Sequence, residues 1–139
     1  MSNIKSNVET LSSFFTRYYT TDTGLEAAEW IFNTLRAYAG NRKDVQVEYF
    51  EHPWLQPSVI ARIVGAVSDD LVILGAHEDS INKGALGRAP GVDDDGSGST
   101  CVLEVFRTLV SNNFKPNRTV EFHFYAYAYE IDRERENVE

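Results

Sequence analysis

One run of apolar residues that ends in a histidine constrains this chain more than any other feature. Residues 71–76 read LVILGA, His77 follows at once, and Asp79 lies two positions further on. An uninterrupted apolar run of this length is typical of a strand that is covered on both faces. In open α/β sheets, functional side chains gather at the carboxyl ends of such strands. The pattern therefore predicts a central strand that brings an imidazole and a carboxylate to a site.

A glycine-rich loop then leads to three consecutive aspartates at 93–95, which precede an amphipathic segment at 99–110. Imidazole and carboxylate groups are ligands for zinc and other divalent cations. In a metal site, Asp79 is placed to fix the ring of His77, and Asp93 is placed to supply a carboxylate ligand. The residues also permit a simpler interpretation, in which the histidine is only hydrogen-bonded and the aspartates cap a helix.

The rest of the chain predicts a mixed sheet flanked by helices. Apolar spacing and alternation indicate helices at 4–18 and 23–38 and further strands at 45–50, 58–64 and 119–127. The strands at 45–50 and 58–64 should form an antiparallel edge. The helix at 99–110 connects two strands as a βαβ crossover, so those two strands should be parallel. We expect an α/β fold with a mixed, mostly parallel sheet.

Length and composition exclude several classes of protein. The chain has 139 residues, which fits a single domain over 1–139 with a charged tail at about 130–139. The net charge of −8 argues against a nucleic-acid partner, because a phosphate backbone attracts a basic surface. No apolar run approaches the roughly 18 residues of a membrane span, so we expect no membrane partner. The first residues do not form a signal peptide, which leaves the location open.

Three separated segments then make a specific resemblance visible. They read GAHEDSIN at 75–82, GRAPGVDDDGSGS at 87–99 and FKPNRTVEFHFYA at 114–126. In this order and spacing they resemble the co-catalytic zinc aminopeptidases, in particular the fungal leucine aminopeptidase branch. The similarity extends over about residues 10–126. It implies an incomplete zinc-aminopeptidase-like fold of the phosphorylase/hydrolase type.

The resemblance also implies a chemistry and a set of roles. Members of the family release N-terminal, Leu-like residues from peptide substrates with zinc as the cofactor. Members of the fungal branch are often secreted. By resemblance, His77 is a ligand of one zinc ion, Asp93 bridges two zinc ions, and Asp79 orients His77.

The chain departs from that family after the strand at 119–127. The family has two adjacent glutamates there, one of which is the general base, whereas residues 125–130 here read YAYAYE. Glu130 is the nearest carboxylate and the one candidate base, and continued strand would carry it away from the site at about 3.3 Å per residue. The family's other zinc ligands come from a C-terminal half that this sequence does not contain. Any zinc should therefore bind weakly.

Two hypotheses follow. The first is a truncated zinc-aminopeptidase-type peptide hydrolase domain that is weakly active or inactive alone. The second is a non-catalytic derivative of an aminopeptidase that forms a homo-oligomer. Self-association would use an exposed strand edge, at 119–127 or at whichever strand lacks a neighbour, because unpaired edges invite pairing.

Overall fold

The computed structural model describes residues 3–83 and 87–127. Three α-helices, four strands and one π-helical turn occur in this part of the chain. In chain order they are α1 (Asn3–Ser13), α2 (Asp22–Ala39), β1 (Val45–Phe50), β2 (Ser58–Ile63), β3 (Ser68–His77), the π-helical turn (Val92–Gly96), α3 (Ser97–Ser111) and β4 (Arg118–Tyr125). Among these helices, none combines the length and apolar character needed to cross a membrane.

The four strands form one mixed sheet in the order β1-β2-β4-β3. β1 pairs antiparallel with β2, and β2 pairs antiparallel with β4. β3 and β4 are parallel and are joined through α3, which confirms the predicted crossover. The mixed sheet and the antiparallel edge are therefore confirmed. The expectation that most pairings are parallel does not hold for the described strands, because β3–β4 is the one parallel pair and the other two neighbouring pairs are antiparallel.

β3 lies at the edge of the described sheet, so the prediction of a central strand at 71–76 is wrong for this part of the chain. Leu71 and Ile73 are 53% and 49% exposed. The apolar residues of β3 are typical of a strand that is covered on both faces. Among the described residues, however, β4 is the only strand that pairs with β3. β4 itself is paired on both sides, which moves the open edge from residues 119–127 to β3.

The helices pack on one face of the sheet and form the core with it. Val120, Phe122 and Phe124 of β4 alternate towards this face and are buried, as the sequence pattern predicted. Phe106 of α3 contacts Phe122 edge-on, with ring centroids 5.1 Å apart. Edge-to-face aromatic pairs of this kind add to the energy of burial. The packing of α3 against β4 therefore fixes where the amino end of α3 lies.

α1 ends at Ser13, five residues before the predicted end of the helix at residue 18. Residues 14 and 15 form a bend, and Thr16 forms an isolated parallel bridge with Ala89. Phe15, which belonged to the apolar spacing that predicted helix as far as residue 18, is exposed. Hydrogen bonds to distant loops replace the helical ones here, as when Ala89 N donates to Phe15 O at 2.8 Å.

Candidate metal centre

His77 lies between two carboxylates. Its Nδ1 atom is 3.1 Å from Oδ1 of Asp79, and its Nε2 atom is 2.7 Å from Oδ1 of Asp94. The side chain of Asp79 is buried, whereas that of Asp94 is 74% exposed. The imidazole is thus held at Nδ1 by a buried carboxylate, and its Nε2 atom faces a solvent-accessible one.

This environment favours the charged form of His77. The hydrogen bond with Asp79 is the main influence that raises the pKa of His77 to about 9, burial opposes it, and Asp94 adds a smaller contribution. An opposite charge at hydrogen-bond distance stabilises an imidazolium in this way. A metal ion that binds Nε2 must therefore displace a proton, as metal binding to histidine does in general.

The end of β3 and the start of α3 position His77. The residue is paired with Tyr125 of β4, and the next amide, that of Glu78, donates to Tyr125 O at 2.9 Å. Ser99, in the first turn of α3, donates its hydroxyl hydrogen to the main-chain oxygen of His77 at 2.9 Å. These contacts fix the histidine backbone from two directions.

A tight turn aims the aspartate run at His77. Gly91 adopts a left-handed conformation with φ of 48°, and its carbonyl accepts a hydrogen bond from Gly96 N at 2.9 Å. A Cβ atom on Gly91 would lie 2.7 Å from the main-chain oxygen of Asp94 and 2.7 Å from Cβ of Ser80. Both the dihedral angle and the space therefore require glycine at this position.

The three aspartates have three different environments. Asp94 contacts His77, and Oδ1 of Asp95 accepts a hydrogen bond from Gly98 N at 3.0 Å, which is the capping role that the simpler interpretation gave to these residues. Asp93 is exposed, and its side chain makes no hydrogen bond or ion pair with any residue that the structure describes. The geometry therefore brings Asp94, not Asp93, to His77. A ligand role for Asp93 stays a prediction from the resemblance.

Two further residues are relevant to the site, the candidate base Glu130 and a second histidine, His123. Glu130, the candidate base, falls outside the described residues. His123 is held by Glu121 at 2.8 Å on the sheet face that α1–α3 leave open. Over residues 3–83 and 87–127, no group of three or more potential metal ligands comes together. His77 and Asp94 are thus a pair of donors rather than a complete cage.

Sequence reasoning missed two buried charged residues beside this pair. Glu78 is fully buried, and neither carboxylate oxygen has a hydrogen-bond partner within the described ranges. Burial raises the pKa of Glu78 well above its usual value, which favours the neutral acid. Strand alternation could have found it, because it places Glu78 on the face opposite His77. Arg17 is also fully buried, and its Nε donates to Glu78 O at 2.8 Å.

The donor pair suits zinc. Zinc takes imidazole nitrogen and carboxylate oxygen at about 2.0–2.2 Å, so atoms as close as Nε2 of His77 and Oδ1 of Asp94 can both reach one ion. Asp79, bound to the other ring nitrogen, is the kind of outer partner that metal-bound histidines usually have. Zinc sites use three or four protein ligands, so further ligands are needed.

Residues 58–127, half of the chain, match the pattern of peptidase family M28. The chain belongs to peptidase family M28. A probable leucine aminopeptidase from Trichophyton verrucosum is 45% identical over 129 residues, which cover 89% of this chain and 36% of the relative. Leucine aminopeptidase 1 from Penicillium rubens is 44% identical and is covered over 35% of its length. The M28 chain therefore spans about a third of the length of these relatives.

A solved structure shows the same relationship in three dimensions. LapB from Legionella pneumophila superposes with a TM-score of 0.82 at 33% identity, over 90% of this chain and 34% of that one. The M28 membership confirms the resemblance seen in the three sequence segments, and it confirms the mixed α/β architecture. The helices and strands that surround His77 are thus those of one part of a larger M28 fold.

Proposed function

We propose that this chain forms the part of an M28 aminopeptidase that contributes His77 and Asp94 to a zinc site. The observation that carries the proposal is the 2.7 Å separation of Nε2 and Oδ1 in these residues. Asp94 replaces Asp93 as the carboxylate ligand in this proposal. Asp79 orients His77, as the resemblance implied.

Each residue has a defined task in peptide hydrolysis. Asp79 accepts the Nδ1 hydrogen of His77, which leaves Nε2 as the nitrogen that would lose its proton to solvent when a metal ion binds. A zinc ion held by these residues would supply a water molecule of lowered pKa and would polarise the scissile carbonyl. Ser99 holds the main chain of His77 in place, and Asp94 presents its carboxylate from the solvent side.

The proposed substrate is a peptide with an N-terminal, Leu-like residue. Its basis is the leucine aminopeptidase activity that the names of the two fungal relatives state for those proteins. A general base typically contributes about 10²–10⁴-fold to such a reaction. Glu130 is the one candidate for this role and lies outside the described residues, so we expect the 139-residue chain alone to turn over peptides slowly or not at all.

Zinc titration by calorimetry tests the proposal without relying on turnover. The parent protein should bind zinc, and His77→Gln should abolish binding. His123→Gln is the matched control, because His123 sits in a separate network with Glu121 and should leave zinc binding unchanged. Equal binding by the parent and by His77→Gln, or no binding by the parent, contradicts the proposal. Chelator-sensitive release of leucine from a chromogenic amide would extend it to catalysis.

A second candidate function, self-association, is favoured by the open edge of β3. Leu71, Val72 and Ile73 are exposed there, next to main-chain groups that have no strand partner on that side within the described sheet. Such an edge is a template for pairing with a second copy. Light scattering over a concentration series should show a dimer that Ile73→Lys dissociates. Val105→Lys, at an exposed apolar position on α3, is the control and should leave the dimer intact. A parent protein that stays monomeric contradicts this candidate function.

A further inference from the structure

Arg17 is a buried cation whose side-chain hydrogen bonds all go to main-chain carbonyls. Nε donates to Glu78 O at 2.8 Å, and Nη2 donates to Gly91 O at 3.0 Å. Nη1 donates to Leu11 O at 3.0 Å and to Pro90 O at 2.6 Å. The guanidinium thus satisfies carbonyls from three separate segments, although it forms no hydrogen bond with any carboxylate in the part of the chain that the structure describes.

Two of those segments carry the donor pair. The first arm, residues 77–80, begins at His77, and the second arm, residues 89–94, ends at Asp94. Arg17 lies between the arms and contacts the first through Glu78 and the second through Pro90 and Gly91.

The main chain around Arg17 ties the same two arms. Its amide donates to Oγ of Ser80 at 2.9 Å, and that hydroxyl donates to Ala89 O at 2.7 Å. Ser80 N donates in return to Arg17 O at 3.3 Å. Main chain and side chain therefore join both arms to the segment that follows α1.

A buried guanidinium is costly unless its surroundings compensate for lost hydration. Burial lowers the pKa of Arg17, and the negative charge of Asp79 is the largest influence that opposes this effect. Asp95 and Asp94 act in the same direction. An arginine side chain stays protonated in proteins, so the main-chain carbonyls around Arg17 and the nearby acidic residues compensate for the hydration that its charge has lost.

We propose that Arg17 is a positioning residue for the metal site. Its contacts hold the His77 arm and the Asp94 arm at a fixed separation before an ion arrives. The inference rests on the proposed function, because it holds that this clamp, the set of hydrogen bonds from Arg17 to the two arms, serves zinc binding. The rigid, planar fork of arginine can donate in several directions at once, which a lysine ammonium at the end of a flexible chain cannot do.

The test compares Arg17→Lys with Arg42→Lys. Arg42 is the matched control, because it also donates to main-chain carbonyls, those of Val110 at 3.2 Å and Phe114 at 2.9 Å, but contacts neither arm. Zinc affinity is measured by calorimetry, and the visible spectrum of bound cobalt reports ligand geometry. Arg17→Lys should weaken zinc binding roughly 10–100-fold, the usual effect of losing an outer partner, and should alter the cobalt spectrum. Arg42→Lys should match the parent in both.

Both measurements are made below the melting temperature of every variant. If Arg17→Lys does not fold, Ser80→Ala takes its place, because it removes the bridging hydroxyl but keeps the guanidinium. Ser80→Ala should weaken zinc binding in the same direction. Parent-like zinc affinity in the Arg17→Lys or Ser80→Ala protein overturns the proposal, as does equal weakening by Arg42→Lys.

Hydrogen exchange separates this inference from the proposed function. If the parent binds no zinc, the proposed function fails. Faster exchange at 78–80 and 89–95 in Arg17→Lys, with parent-like exchange there in Arg42→Lys, then still supports the clamp. Unchanged exchange in both arms overturns it.

Discussion

The Nε2 atom of His77 and the Oδ1 atom of Asp94 lie 2.7 Å apart, although 17 positions separate the two residues in the sequence. His77 is placed by the end of β3, and Asp94 is placed by the turn that begins at Gly91. The contact depends on these two elements at once. Substitutions that disturb either element should therefore affect metal binding as well as stability.

Gly91→Ala should damage both properties. A Cβ at Gly91 would meet Asp94 O, Cβ of Ser80 and Nη2 of Arg17, all within 2.8 Å. Gly40→Ala is the matched control, because Gly40 also has a positive φ, 56°, but open space around it. The control should cost about 1–3 kcal/mol of unfolding free energy, from its positive-φ backbone conformation alone. Urea denaturation should show a larger loss for Gly91→Ala, and similar losses for the two variants would contradict the crowding described here.

Phe106→Ala should lower the free energy of unfolding by about 3–5 kcal/mol. Phe106 is fully buried and packs edge-on against Phe122, so truncation leaves a cavity between α3 and β4. Phe114→Ala removes the same atoms from an exposed position and should change stability by well under half as much. Thermal melts of both variants check this. Unaltered melting of Phe106→Ala would mean that α3 does not pack on the sheet in this way.

Asp44 should make stability depend on acid. Hydrogen bonds from Arg42, and then from Lys115, hold the pKa of Asp44 well below its usual range. A lowered pKa in the folded state means that the stabilisation is complete above the unfolded value of about 3.9 and is lost as the pH falls through the folded value. Asp44→Asn should therefore cost roughly 1 kcal/mol at neutral pH, after allowance for solvent screening.

The cost of Asp44→Asn should shrink as the pH falls below about 4. Asp70→Asn is the control, because Asp70 is exposed and 3.9 Å from Arg118, so its substitution should have little effect at any pH. Urea denaturation at several pH values gives both comparisons. A cost of Asp44→Asn that is equal at neutral and strongly acidic pH would contradict the assignment.

The periodic parts of the fold were predictable from sequence because each residue's environment follows from its neighbours in one element. The alternation at 119–127 predicted a strand with Val120, Phe122 and Phe124 on one face, and in the structure these three residues are buried in the core. The position of β3 was not predictable in the same way. Its apolar residues indicate burial, but the pattern carries no information on which neighbours are present to bury them.

The residues of the site also divide into those that a local pattern predicts and those that depend on contacts distant in sequence. His77 and Asp79 could be placed because a strand end and a two-residue spacing set their direction, and the structure joins them by a hydrogen bond. Which aspartate turns towards His77 depends on the left-handed backbone of Gly91, which spacing alone does not reveal. Arg17 was hidden for a related reason, since its partners are main-chain carbonyls distant in sequence, and these leave no residue-type pattern.

The measurement that tests the central claim most directly is a zinc titration of Asp94→Asn beside Asp93→Asn. The two variants remove one negative charge each from adjacent positions, but only Asp94 contacts His77. We expect Asp93→Asn to bind zinc nearly as the parent does and Asp94→Asn to lose roughly tenfold or more in affinity, as loss of a ligand or of its partner does. Parent-like affinity in Asp94→Asn, with binding lost in Asp93→Asn, would contradict the account and return the ligand role to Asp93.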